Sequence, residues 1–247
     1  MFQNRDDYGP RRLEIGVENA TGDVVTVTSA TFSSAQFVEP ASWTRPTEIP
    51  VGATRNLRVD LAGTDCNTDA AAATVELAFT LADGTSGTAT VTPVDPFDQV
   101  RKLIAQDCAA VLAGKTVTIT LGDSLRVEQR GRHPVGLLDV TFAPTGAGEP
   151  VTIDEITRTI LIRPSSGGDA WPVGTTFTSG SVPLTMTLDI YPSNCRLHTV
   201  AEDKRGTYLP FSTDGNLFYV AASNAVKEEI YAYIAQYCGW DASTPLD

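Results

Sequence analysis

Four cysteines are the residues of this 247-residue chain whose type and spacing promise definite chemistry. Cys66 and Cys108 are 42 residues apart, and Cys195 and Cys238 are 43 apart. A zinc site would need closer spacing, such as Cys-x2-Cys, and that is absent. Of the three ways to pair four cysteines, Cys66–Cys108 with Cys195–Cys238 fits the repeated separation. Cysteines held in two disulfides offer no free nucleophile.

The next concentration of reactive types follows Cys195. There the chain reads Arg196-Leu197-His198-Thr199-Val200-Ala201-Glu202-Asp203-Lys204-Arg205-Gly206, whereas after Cys66 it reads Asn67-Thr68-Asp69-Ala70-Ala71-Ala72-Ala73-Thr74. A connector with nothing to do but join two strands could stay alanine-rich. The second carries His198, of the residue type suited to respond to pH, and an Arg205 able to grip a carboxylate or phosphate at two points. Two readings stay open. The segment is self-satisfied, with Glu202 or Asp203 paired to Lys204 or Arg205. Alternatively, His198, Glu202, Asp203, Lys204 and Arg205 form a site for recognition, not bond cleavage.

Other chemistries find little support. There are two histidines, His133 and His198, and no Gly-x-Ser-x-Gly elbow. Ser86, in Asp83-Gly84-Thr85-Ser86-Gly87, falls on a hairpin tip. The pairs Asp154-Glu155 and Glu228-Glu229 are no signature among 30 acidic residues, and the second suits the first turn of a helix. No Asp-x-Asp-x-Asp-Gly calcium loop is present. No catalytic residue, metal ligand or cofactor is therefore assigned. Arg126, Arg130, Arg132 and His133 make one basic concentration, which a solvated turn explains as well as an anion site does. Trp43 and Trp171 occupy matching places and suit core plugs better than ligand stackers.

The elements that position these residues occur twice. The stretch Ile104-Ala105-Gln106-Asp107-Cys108 returns as Ile234-Ala235-Gln236-Tyr237-Cys238. Apolar residues at helical spacing predict helices over residues 98–112, closed by Gly114, and over about 226–238. Ahead of each lie short alternating segments: Leu13, Ile15, Val17; residues 24–32; Leu57, Val59, Leu61; Val75, Leu77, Phe79; and residues 88–91 in the first copy. The second copy has Leu138, Val140, Phe142; one long strand over 151–162; a loose stretch at Trp171-Pro172; Leu184 to Ile190; and Phe218, Val220. Asp83-Gly84 and Asp214-Gly215 mark hairpins. Residues 116–121 and 125–129 add a strand pair that either copy could own.

Short antiparallel strands joined by turns predict a mainly β chain of two tandem antiparallel β-sandwich domains, each with one C-terminal helix and one disulfide. Residues 1–11 are expected to be a disordered leader, 12–114 the first domain and 115–247 the second. Leu103, Ile104, Ile230 and Ile234 are expected to face their sheets.

The net charge is -12, from 18 basic and 30 acidic residues. Neither half is basic, which argues against nucleic acid as a partner. No apolar run approaches the roughly 20 residues of a membrane span, and residues 1–12 do not form a signal peptide. Because disulfides persist in oxidising compartments, the sequence favours the extracytoplasmic part of an exported protein, secreted or held to the membrane only through a removed anchor.

The tandem copies, the paired cysteines and the stretch Val200-Ala201-Glu202-Asp203-Lys204-Arg205-Gly206-Thr207 resemble exported actinobacterial proteins with tandem immunoglobulin-like domains. The excess of Arg over Lys, 14 to 4, and the many Ala, Thr and Val suit a GC-rich genome. The resemblance implies a bacterial, extracytoplasmic location and supplies no catalytic residues. The expected function is non-enzymatic binding of a protein, a cell-wall component or a small ligand, with the partner and oligomeric state undetermined. Two alternatives remain: a solute-binding or accessory lipoprotein of a membrane complex, and a hydrolytic enzyme of unknown class.

Overall fold

The computed structural model describes residues 1–68 and 72–240. Part of the connector after Cys66 (residues 69–71) and the last seven residues of the expected second domain lie outside the described residues. The chain is mainly β and divides into two units, Met1–Cys108 and Ala109–Asp247.

In the first unit the strands are β1 (Arg12–Glu18), β2 (Val25–Ser33), β3 (Ala41–Trp43), β4 (Thr47–Ile49), β5 (Thr54–Asp60), β6 (Thr74–Leu81) and β7 (Ser86–Val91). β1 pairs antiparallel with β5, and a second sheet runs β3-β2-β6-β7, with β4 also on β2. Period-two alternation puts Leu13, Ile15, Leu57 and Val59 of the first sheet, and Val27, Ala30, Phe32 and Val75 of the second, into one buried cluster. At the β6–β7 turn Gly84 has φ +85°, and Leu81 N–H donates to the Thr85 carbonyl.

The helix α1 (Gln99–Thr116) follows. The Asp95 carboxylate accepts from Gln99 N–H and Val100 N–H, satisfying two of its free donors. Leu103 is buried on the first unit's cluster and Ile104 packs against it half-buried. The Cys66–Cys108 bond is formed and ties α1 to the segment after β5. Gly114 does not close the helix, which runs on to Thr116, where the buried hydroxyl donates to the Glu149 carbonyl.

Residues 1–11, expected to be a disordered leader, take up defined local structure. Arg5–Asp7 forms a short 3-10 helix, Phe2 bridges Glu14, and Asp7 is fully buried. The reason lies in β1, where Glu14 is buried as well, against strict alternation. The N-terminal segment covers it, and Asn4 Nδ2 donates to Glu14 Oε1.

The second unit contains β8 (Val117–Leu121), β9 (Arg126–Arg130), β10 (His133–Pro144), β11 (Val151–Thr157), β12 (Ile162–Pro164), β13 (Ala170–Phe177), β14 (Leu184–Pro192), the helix α2 (Leu197–Ala201), β15 (Tyr208–Thr213), β16 (Asn216–Ala221) and α3 (Asn224–Cys238). One sheet runs β12-β14-β10-β8, with β9 also on β10, and the other runs β13-β11-β15-β16. The strand pair of open ownership therefore belongs to this unit.

Two expectations change here. The long strand over 151–162 is two strands on different sheets, because Thr159 turns the chain: its Oγ1 accepts from Leu161 and Ile162 N–H and donates to the Gly206 carbonyl. The loose stretch at Trp171-Pro172 is a strand; Pro172 is tolerated because β13 is an edge. Asp214 (φ 48°) and Gly215 (φ 74°) form a two-residue hairpin turn with both residues left-handed. α3 starts on Ser223, whose side chain accepts from Val226 N–H, and stops at Gly239 in the left-handed region. Ile230 and Ile234 are buried in the core, and Cys195–Cys238 anchors the last turn.

Candidate functional site

Of the five residues of the proposed recognition site, His198, Glu202 and Lys204 are exposed and Asp203 and Arg205 are half-buried. The segment from 196 contains α2, where His198 Nε2 lies 3.3 Å from Glu202 Oε1 on the exposed face. Asp203 Oδ2 accepts from Gly206 N–H at 2.5 Å. Arg205 Cζ stacks 3.7 Å over the Tyr219 ring, and Lys204 is exposed. Gly206 is buried, and a Cβ there would lie 2.3 Å from Leu161 Cγ. The chain is thus threaded tightly under its charged residues, which turn onto their own scaffold.

Three members of the basic concentration, Arg126, Arg130 and His133, have partners. Arg126 binds Asp139 through both terminal nitrogens, Arg130 meets Glu128 at 3.2 Å, and His133 stacks on Tyr237. Trp171 is a buried plug whose indole N–H donates to Asp189, while Trp43 is half-buried with Arg45 over its ring.

Unit 1 holds a different feature that sequence reasoning missed. Between β1 and β7 lies an open groove of about 470 Å³, lined by Ile15, Gly16, Val17 and Glu18, by Val75 and Leu77 of β6, and by Val91, Pro93 and Val94. Glu18 is the one charged side chain on this lining, and Val91 and Val94 are 44% and 77% exposed. Met1 closes one end; it packs against the first unit's core and its amine donates to the Val94 carbonyl.

The copies show how this groove arises. Leu13 faces Val59 as Leu138 faces Leu188, so β1 and β5 correspond to β10 and β14. β10 has a neighbour on its other side: β8 pairs along it from Val140↔Leu121 to Pro144↔Val117. Val117 of β8 is buried, and Ile119 and Leu121 pack on the core. By the same correspondence residues 15–18 of β1 match residues 140–143, yet no strand pairs there among the described residues. Phe2 and Glu14 exchange both backbone hydrogen bonds, as Gly122 N–H meets the Asp139 carbonyl in the second unit. Antiparallel strands bond to alternate sides, so the N–H and C=O of Gly16 and Glu18 point the same way as those of Glu14, into the groove.

The signal was present in the sequence only as the unmatched extra strand pair of the second copy. No protein family matches the chain, and no curated protein shows significant similarity to it.

Proposed function

We propose that this chain is a non-enzymatic, extracytoplasmic binding protein of two tandem immunoglobulin-like β-sandwich units, and that the first unit recognises a protein through the groove between β1 and β7. The groove carries the reading. Its lining is mostly apolar, with Glu18, Thr92 and the Met1 amine as its polar members, and it is bounded by the outer edge of β1. Apolar surface with unpaired backbone suits recognition of another polypeptide, whereas catalysis calls for converging titratable groups. In each unit two antiparallel sheets contribute to one core, which supports the sandwich. The two disulfides support a location outside the reducing cytoplasm, and no described helix is long and apolar enough to cross a membrane.

A photo-crosslinking amino acid at Val94, compared with one at Lys204, tests this in intact cells. Adducts with a second protein at Val94 but not at Lys204 are expected. The reverse pattern would move recognition to the segment after Cys195, and adducts at neither would overturn the binding reading.

A further inference from the structure

We infer that the first unit is completed by an extended strand of a partner protein, added antiparallel to β1 over residues 16–18. This rests on the reading of the groove as a binding surface and says what binds there. The second unit supplies the template. At the corresponding place β8 reads Val117-Thr118-Ile119-Thr120-Leu121, uncharged, with its apolar residues alternately on the core side and its threonines on the exterior. An occupant of the groove meets the same demands. It must satisfy the outward backbone groups of Gly16 and Glu18, and it must place an apolar side chain opposite Val17, where Ile119 lies opposite Phe142. Strand addition of this kind draws affinity from main-chain bonds and specificity from alternate side chains.

Past the end of β7, this wall of the groove is the poorer docking edge. The chain there runs from Val91 into Pro93 and Pro96, which have no N–H to give. A second copy is the poorer occupant. Its own β8 is committed to its own core, and at a net charge of -12 two copies repel. An occupying strand has the polarity of β8, running toward Met1.

Two measurements on the full chain test the inference by residue-resolved amide exchange. In the first, the four residues Val-Thr-Ile-Thr, copied from β8, are joined directly ahead of Met1. Counting back from Phe2 opposite Glu14, the copied isoleucine then falls opposite Val17. The amides of Gly16 and Glu18 should exchange at least about tenfold more slowly, since tethering raises effective concentration, and the melting temperature should rise. The same extension with aspartate in place of its isoleucine should do neither. In the second, a free peptide copying residues 115–123 should protect the same two amides, and V91D on the opposite, exposed wall should weaken it about tenfold.

No protection of Gly16 and Glu18 by either donor overturns the inference. So does protection in the unextended protein that grows with its own concentration, which would assign the edge to a second copy. If Val94 still crosslinks a partner while neither donor protects these amides, the groove binds by another mode, and the functional reading survives without strand addition.

Discussion

Arg58 reaches across the β1–β5 ladder to Glu14, its register partner, with Nη2 2.8 Å from Glu14 Oε1. Its Nε also lies 3.2 Å from Asp7 Oδ1, at ion-pair distance although no aligned hydrogen bond reaches that oxygen. One half-exposed guanidinium thus serves two buried carboxylates. They raise its already high pKa, chiefly through the hydrogen bond to Glu14 and then through the Asp7 charge.

Replacing Arg58 with methionine keeps much of the stem and removes the cation. Asp7 and Glu14 are then left buried without it, and removing one partner of a buried pair costs more than the pair contributes. The melting temperature should fall, and residues 1–11 should become the first site of proteolytic cleavage. D7N, which leaves Glu14 paired to Arg58, should be milder. Thermal melts and limited proteolysis check both; an R58M protein as resistant as the parent would contradict the account.

A second charge pair sets an acid dependence. Arg126 and then Thr187 hydrogen-bond to the Asp139 carboxylate and hold its pKa down at about 2, against about 4 unfolded. A depressed carboxylate stabilises the fold above its unfolded pKa and loses that contribution as pH falls through its folded one. Stability should therefore decline between about pH 4 and pH 2, and D139N should flatten that part of the profile. Because Asp139 and Arg126 are both partly exposed, salt should reduce the effect. Urea melts at a series of pH values, with and without added salt, are the measurement.

The hairpins, the helices and both disulfides were legible because each leaves a local mark: Asp-Gly turns, helical spacing, equal cysteine separations. What was not legible depended on partners distant in sequence. Glu14 breaks the alternation of β1 because residues 2, 4 and 58 meet it from elsewhere. Thr159 splits what looked like one apolar strand because its hydroxyl finds Gly206, 47 residues on. The groove is a missing neighbour, and a missing neighbour has no residues of its own to read. It emerges only when the strands beside β1 and β10 are compared. The charged segment after Cys195 stood out by composition, yet Asp203 and Arg205 turn onto Gly206 and Tyr219, and His198 lies beside Glu202.

That segment allows a sharp contrast. Gly206 has no room for a side chain: an added Cβ meets Leu161 Cγ at 2.3 Å and Asp203 Oδ2 at 2.6 Å. Leu161 is fully buried and cannot retreat without disturbing the core. G206A should destabilise by about 1–3 kcal/mol, the range of overpacking a filled interior. K204A, two residues away and exposed, should stay within about 0.5 kcal/mol of the parent. Denaturant titration of both separates threading from surface chemistry. Equal, small effects would mean that the turn relaxes freely.

The two helices carry the same Ile-Ala-Gln-x-Cys motif but do not bury it equally. Ile234 of α3 is fully buried among the second unit's core residues, whereas Ile104 of α1 is half-buried at the edge of its cluster. Truncation at a filled interior position loses transfer energy and leaves a cavity; at a half-open position, water or a neighbour takes the space. I234A should cost about 2–5 kcal/mol, and I104A roughly 1–2 kcal/mol, in proportion to the smaller area withdrawn from water. The disulfides act alike in both units, closing loops of 42 and 43 residues, so they do not mask the difference. Urea unfolding of the two variants with their disulfides intact decides it: equal losses would mean that α1 is seated as deeply as α3, and a neutral I234A would mean that α3 does not depend on its buried face.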